Sequence, residues 1–166
     1  MERRELFGSL FSSFKGEKKE KKKVVARAPY FIDKDSFYKE CVNCEGTPCV
    51  TFCQENIIFI DKDGTPKLDF AKGGCTYCDE CAVNCNGEVL KLEYKKLIDV
   101  KVEIDIMKCM SWHQTMCFSC KDPCLDDAIK FLGIFRPSIV EDKCISCGFC
   151  VSVCPSEAIT IKQKEI

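Results

Sequence analysis

Cysteine dominates the chemistry available to this chain. The sequence holds 16 cysteines among 166 residues, and they form four groups of four with none left over. The groups are Cys41, Cys44, Cys49 and Cys53; Cys75, Cys78, Cys81 and Cys85; Cys109, Cys117, Cys120 and Cys124; and Cys144, Cys147, Cys150 and Cys154. Thiolates bind soft metals and iron–sulfur cores. Four closely spaced cysteines therefore predict an inorganic centre at each group.

The second and fourth groups have the spacing C-x2-C-x2-C-x3-C, and Pro155 follows the fourth. This is the run with which bacterial ferredoxins hold cubane [4Fe–4S] clusters. A zinc site would separate two C-x2-C pairs by a longer stretch, commonly with histidine ligands, and His113 is the only histidine. A disulfide scaffold is disfavoured because bridges within a C-x2-C pair are strained. Haem attachment would need C-x-x-C-H, which the chain lacks.

The fourth cysteine of such a run ligates the other cluster of a two-cluster unit. Pairing the groups in chain order therefore predicts four crossed ligand sets. They are Cys41, Cys44, Cys49 and Cys85; Cys75, Cys78, Cys81 and Cys53; Cys109, Cys117, Cys120 and Cys154; and Cys144, Cys147, Cys150 and Cys124. Sequential pairing costs less loop-closure entropy than a nested pairing of the first group with the fourth. The nested pairing stays open as the alternative.

Two groups depart from regular spacing. Cys44 and Cys49 are separated by four residues, including the turn formers Gly46 and Pro48, which can loop out without displacing the sulfurs. Cys109 and Cys117 are separated by residues 110–116, a larger insertion. We expect four [4Fe–4S] clusters, with an empty or three-iron third site as the alternative.

Composition narrows the function further. The formal net charge is −1, so bulk electrostatics favour neither nucleic acid nor membrane. No stretch approaches the length of an apolar membrane span, although peripheral contact with a membrane stays open. The chain contains no P-loop, no G-x-G-x-x-G motif and no nucleophile with a suitable base. We therefore expect an electron carrier rather than an enzyme, and reduced thiols favour the cytoplasm.

The first 35 residues differ in composition from the rest. Leu6, Phe7, Leu10, Phe11 and Phe14 recur with the period of an amphipathic helix, and residues 15–23 are rich in lysine. Arg3-Arg4 loosely resembles a twin-arginine export signal, but serines dilute the apolar stretch that follows. Residues 1–35 are thus predicted to be an amphipathic helix and a solvated tether.

The remainder reads as a fourfold repeat, because the groups begin at Cys41, Cys75, Cys109 and Cys144. Each repeat is a cysteine loop, a one-turn helix around the last cysteine and a short strand. Residues 57–70 predict a hairpin turning at residues 62–64, and residues 100–106 and 159–161 predict strands. The expected fold is α+β, with tandem two-cluster units at residues 36–97 and 98–166.

The whole chain resembles the NapF-type ferredoxins, accessory proteins of the periplasmic nitrate reductase system. The resemblance is carried by the length, Arg3-Arg4, the four cysteine groups, the seven-residue gap before Cys117, and the ending from Cys154 to Thr160. It implies a cytoplasmic iron–sulfur protein that acts on the molybdenum-containing catalytic subunit before export, in maturing its cluster or cofactor. The Cys44–Cys49 spacing departs from this family and looks more like that of molybdoenzyme electron-transfer subunits.

Two other functions stay open. One is an electron-transfer subunit of a membrane-associated respiratory oxidoreductase, which passes electrons from quinol to a catalytic subunit. The other is a scaffold or storage protein whose clusters are structural. Trp112 and His113, inside the third insertion, are candidates for partner contact or for covering the third cluster.

Overall fold

We describe residues 24–164 of the protein in a computed structural model. The predicted amphipathic helix and the lysine run lie outside these residues. The described chain forms six short strands: β1 Ile58–Ile60, β2 Pro66–Leu68, β3 Val100–Ile104, β4 Ile129–Leu132, β5 Phe135–Ile139 and β6 Ile159–Gln163. They pair antiparallel as β1–β2, β3–β6 and β4–β5. The mixture of short strands and helices is an α+β arrangement, as expected.

The helices of the described chain are all a single turn or little more. Three are α-helical: α1 Pro48–Thr51, α2 Glu80–Val83 and α3 Phe149–Ser152. A π-helical turn covers Phe37–Cys41, and 3₁₀ turns cover Leu92–Tyr94, Met110–His113 and Glu141–Lys143. Elements this short cannot be stable alone, so tertiary packing and bound groups must hold them.

The β1–β2 hairpin and the strand β3 form as predicted. Gly64 adopts φ +74° in the turn between β1 and β2, a conformation that glycine accepts without strain. β3 pairs with β6, which runs to Gln163 rather than stopping at Ile161. The β4–β5 hairpin was not predicted. Pro137 lies inside β5, and a proline within a run argues against a strand unless it lies at an edge.

Two apolar clusters form the interior. The first includes Tyr30, Phe37, Ile57, Phe70 and Val100. The second is smaller and is built around Val102, Ile129 and Ile159. Val151 and Ile161 pack against both clusters, so the two parts of the described chain share a continuous packed boundary.

The N-terminal boundary differs from the expectation that residues 1–35 form a helix and a tether. Residues 26–31 are buried within the first apolar cluster rather than solvated. The carbonyl of Ala26 accepts from Leu68 N at 2.9 Å, and the carbonyl of Tyr30 accepts from Lys91 N at 2.8 Å. Tyr30 and Phe31 cover apolar surface that would otherwise face water, which explains why this segment belongs to the folded part.

Candidate iron–sulfur centres

Four pockets in the structure are each lined by four cysteines. The structure brings together Cys41, Cys44, Cys49 and Cys85 at the first pocket; Cys53, Cys75, Cys78 and Cys81 at the second; Cys109, Cys117, Cys120 and Cys154 at the third; and Cys124, Cys144, Cys147 and Cys150 at the fourth. These groupings coincide with the crossed sets of the sequential arrangement. Each pocket takes three cysteines from one group and the last cysteine from its neighbour.

The pockets resemble one another in size and lining. Their empty space, including the open mouth, is about 410, 380, 330 and 370 Å³ from the first to the fourth. Apolar side chains complete the walls, such as Leu90 at the first pocket and Ile159 at the third. The irregular first and third groups therefore form pockets comparable to those of the regular groups.

One-turn helices position the third cysteine of three groups. Cys49 lies in α1, Cys81 in α2 and Cys150 in α3, whereas the helix was expected around the last cysteine. A residue with positive φ precedes each helix: Thr47 at 40°, Asp79 at 70° and Gly148 at 87°. This left-handed residue reverses the chain, so that a single loop can present several sulfurs to one pocket.

The third group is held differently, because none of the helices in residues 24–164 encloses Cys120. The insertion between Cys109 and Cys117 folds as the 3₁₀ turn Met110–His113. Trp112 Nε1 donates a hydrogen bond to the carbonyl of Pro137 at 3.1 Å, and Pro137 lines the third pocket. The insertion is thereby tied to β5, and Met110 contributes to the pocket wall.

The last cysteine of three groups accepts a backbone hydrogen bond at sulfur. Ala128 N donates to Cys124 Sγ and Ala158 N to Cys154 Sγ, both at 3.3 Å, while Leu90 N donates to Cys85 Sγ at 3.5 Å. Such bonds favour the thiolate and help to set a cluster's reduction potential. The crossing cysteines are thus arranged as anionic ligands.

The electrostatics of the pockets fit a cationic core. Burial, followed by the neighbouring thiolates, raises the pKa of Cys81 and of Cys150 to about 12. Four thiolates therefore cannot ionise side by side unless positive charge lies between them. All 16 cysteines are free of disulfides. A pocket lined by four free thiols fits a [4Fe–4S] core, whose irons take thiolate ligands.

Within residues 24–164, no group of three or more His, Cys, Asp or Glu side chains is arranged to hold one metal ion. A cubane cluster sets its four ligands around a larger core than one ion does.

In residues 24–164, none of the helices combines the length and the apolar character that a membrane span requires.

Comparison with known proteins decides the family. Residues 137–160 match the 4Fe-4S binding domain model. The chain is 29% identical over 138 residues to the ferredoxin-type protein NapF of Escherichia coli K12, covering 81% of this chain and 82% of that protein. It is 30% identical over 153 residues to NapF of Haemophilus influenzae, and this match covers 86% of this chain and 83% of that protein. The chain belongs to the NapF-type ferredoxin family. This ferredoxin binds [4Fe–4S] clusters, as the sequence predicted.

A further relative, matched over a shorter part of its length, is a subunit of a complex. The chain is 31% identical over 126 residues to a subunit of the ion-translocating oxidoreductase complex of Methanosarcina acetivorans. The match covers 69% of this chain but only 44% of that protein. The NapF relatives and the 4Fe-4S domain match support iron–sulfur electron transfer.

Sequence reasoning missed two side chains near the pockets. Arg27 is buried, and it donates a hydrogen bond to the carbonyl of Pro66, which lines the first pocket. Its signal in the sequence was a lone cation within the apolar stretch of residues 24–31. Tyr77, between Cys75 and Cys78, donates its hydroxyl hydrogen to the carbonyl of Ile145 at 2.5 Å. No pattern in the sequence pointed to that contact, because it joins loops 68 residues apart.

Proposed function

We propose that this NapF-type ferredoxin carries four [4Fe–4S] clusters, one in each four-cysteine pocket, and transfers electrons through them. The observation that carries the proposal is the convergence of four free cysteines on every pocket, including the two with irregular spacing. The ligand sets are the crossed sets of the sequential pairing. Because the last cysteine of each group binds the neighbouring cluster, the two clusters of a pair are held close together.

The described chain is best divided into two two-cluster units. The first contains groups one and two, and the second contains groups three and four. The two apolar clusters support this division, because each surrounds the cysteines of one pair of groups. The first unit extends in the N-terminal direction to include residues 26–31. The second begins near residue 98 and shares its first strand with the first unit, because Val100 packs in the first apolar cluster and Val102 in the second.

We further propose that the protein works in the cytoplasm on the molybdoenzyme catalytic subunit of a periplasmic nitrate reductase. It would supply electrons while that subunit acquires its cluster or cofactor, before export. Membership of the NapF-type family supports this role. The protein itself would be a carrier without a catalytic site of its own.

An anaerobic pull-down tests the partner. The tagged protein is incubated with cytosol, and bound proteins are identified by mass spectrometry. We expect the catalytic subunit that still carries its export signal, since that precursor exists only before export. A variant with Cys144, Cys147 and Cys150 changed to serine serves as a control for cluster dependence. Failure to recover the precursor, from cytosol shown to contain it, contradicts the maturation role.

The second candidate function is that of an electron-transfer component in a membrane-associated respiratory oxidoreductase. The match to the ion-translocating oxidoreductase complex favours it. In that case the protein would co-purify in fixed proportion with membrane proteins rather than with an export precursor. The same pull-down, repeated on detergent-solubilised membranes, separates the two candidates.

A further inference from the structure

Arg27 is a buried cation in the first apolar cluster. Only 5% of the residue is exposed, and its neighbours Ala26 and Ala28 are buried as well. Its Nη1 donates a hydrogen bond to the carbonyl of Pro66 at 2.8 Å. The guanidinium carbon lies 4.2 Å from the ring centroid of Phe37 and 5.5 Å from that of Tyr38. The charge is thus removed from water and held in place.

Arg27 has no anionic side chain opposite it among the described residues. Within that part of the chain, no carboxylate oxygen lies within 4.0 Å of its guanidinium. Lys67, the other buried cation in residues 24–164, is paired with Asp61 at 2.7 Å and Asp63 at 2.6 Å. A buried charge without a counter-ion is costly. The cation–π contacts offset only part of that cost, so a further source of negative charge near Arg27 would stabilise it.

The first cysteine pocket is connected to Arg27 through Pro66. Pro66, the acceptor of the Arg27 hydrogen bond, lines this pocket together with its four cysteines. Phe37, which stacks on Arg27, begins the π-helical turn that ends at Cys41.

We propose that Arg27 is the counter-ion of the cluster held by Cys41, Cys44, Cys49 and Cys85, and that it raises this cluster's reduction potential. The inference rests on the ligand set proposed above. Four thiolates give the bound cluster a net negative charge, which grows by one when an electron is added. A nearby buried cation therefore stabilises the reduced form more than the oxidised form. Glu40 also lines the pocket, but its side chain is exposed and water screens it.

Redox titration monitored by electron paramagnetic resonance (EPR) tests the proposal on the full-length protein. We expect Arg27→Gln to lower one midpoint potential and to leave the others in place. A Cys44→Ser variant identifies the signal of the first cluster and must alter the same one. The matched control is Arg136→Gln, which removes the same charge from an exposed side chain and should leave the first cluster's potential unchanged.

Arg27→Lys separates charge from packing. The lysine keeps the positive charge but loses the planar guanidinium, so the potential should stay close to that of the unsubstituted protein. An unchanged potential in Arg27→Gln overturns the proposal, as does a shift in Arg27→Lys equal to that in Arg27→Gln. The Arg27→Gln protein could lack the first cluster altogether, and the Arg27→Lys protein then decides. If Arg27→Lys keeps the first cluster at an unshifted potential, the proposal is supported; if Arg27→Lys also lacks the cluster, the proposal is overturned. Absence of the first cluster from the unsubstituted protein would instead refute the proposed ligand sets.

Discussion

At the scale of residues, the sequence makes its most specific prediction for the cysteines as cluster ligands. The short spacing within each group constrains where the sulfurs can lie, so the chemistry follows without knowledge of the fold. The role of Arg27 was not predictable in the same way. Its burial results from packing between Phe37 and Pro66, which lie 10 and 39 residues away along the chain.

The crossed arrangement makes a prediction about pairs of cysteines. If Cys154 and Cys109 bind the same cluster, Cys109→Ser combined with Cys154→Ser should lose no more iron than either change alone. Cys154→Ser combined with Cys147→Ser should lose about twice as much, because two clusters are then affected. Effects at independent sites add, whereas effects at a shared site do not. Iron analysis of anaerobically purified variants gives the result, and additive loss in the first pair would contradict the crossing.

At the scale of elements, prediction succeeded where a local pattern was sufficient. The Asp63-Gly64 turn predicts the β1–β2 hairpin, and alternation predicts β3. The repeat pattern predicts a short strand after Cys124, where β4 lies, but it failed for its partner β5, where Pro137 obscures the strand, and for residues 26–31. That segment has no regular secondary structure, and its place in the core depends on contacts with Leu68 and Lys91.

The contact between the cysteine loops of the second and fourth groups was also beyond local patterns. Cys75 N donates to the carbonyl of Cys147 at 2.7 Å. A Cβ added to Gly74 would lie 2.5 Å from Phe149 N, and one added to Gly148 would lie 2.1 Å from the Phe70 ring. The backbones of the two loops can approach this closely only because both glycines lack a side chain.

Gly74→Ala should therefore destabilise the contact between the loops. The added methyl would meet the Phe149 ring and also the Phe149 backbone nitrogen, which moves aside less easily than a side chain. We therefore expect a cost of about 1–3 kcal/mol from overpacking. Gly73→Ala is the matched control, since its nearest contact, Ile57 Cγ2 at 3.5 Å, is ordinary van der Waals distance. Anaerobic thermal unfolding followed by circular dichroism compares the two. Equal midpoints for both variants would refute the close approach.

Tyr77 makes a second prediction at the same contact. Its hydroxyl donates to the carbonyl of Ile145 and accepts from Ile98 N at 3.2 Å. Tyr77→Phe leaves both backbone groups without this partner, which should cost about 1–3 kcal/mol. Tyr38→Phe, at a side chain that is half exposed, should leave the unfolding midpoint unchanged. A Tyr77→Phe variant as stable as the unsubstituted protein would show that the hydrogen bonds contribute little.

At the scale of the whole molecule, the clusters must provide much of the stability. The described strands have three to five residues and the α-helices four, and the second apolar cluster is small. Ligands that bind only the folded state contribute their binding free energy to folding. The two units stay a prediction, and the burial of residues 26–31 favours an earlier start for the first of them.

Removal of iron should therefore unfold most of the chain. Anaerobic treatment with a chelator is expected to abolish the strand signal in circular dichroism together with the cluster absorbance. Reconstitution with iron and sulfide should restore both signals. Retention of the folded spectrum after complete loss of iron would show that the apolar clusters suffice.

The most direct test of the account is the count of iron and acid-labile sulfide per chain in protein purified without oxygen, combined with Mössbauer spectroscopy. The account predicts as many iron atoms as cysteines, an equal amount of sulfide, and spectra from [4Fe–4S] clusters alone. Iron for fewer than four clusters, a three-iron signal at full occupancy, or tightly bound zinc without sulfide would contradict it.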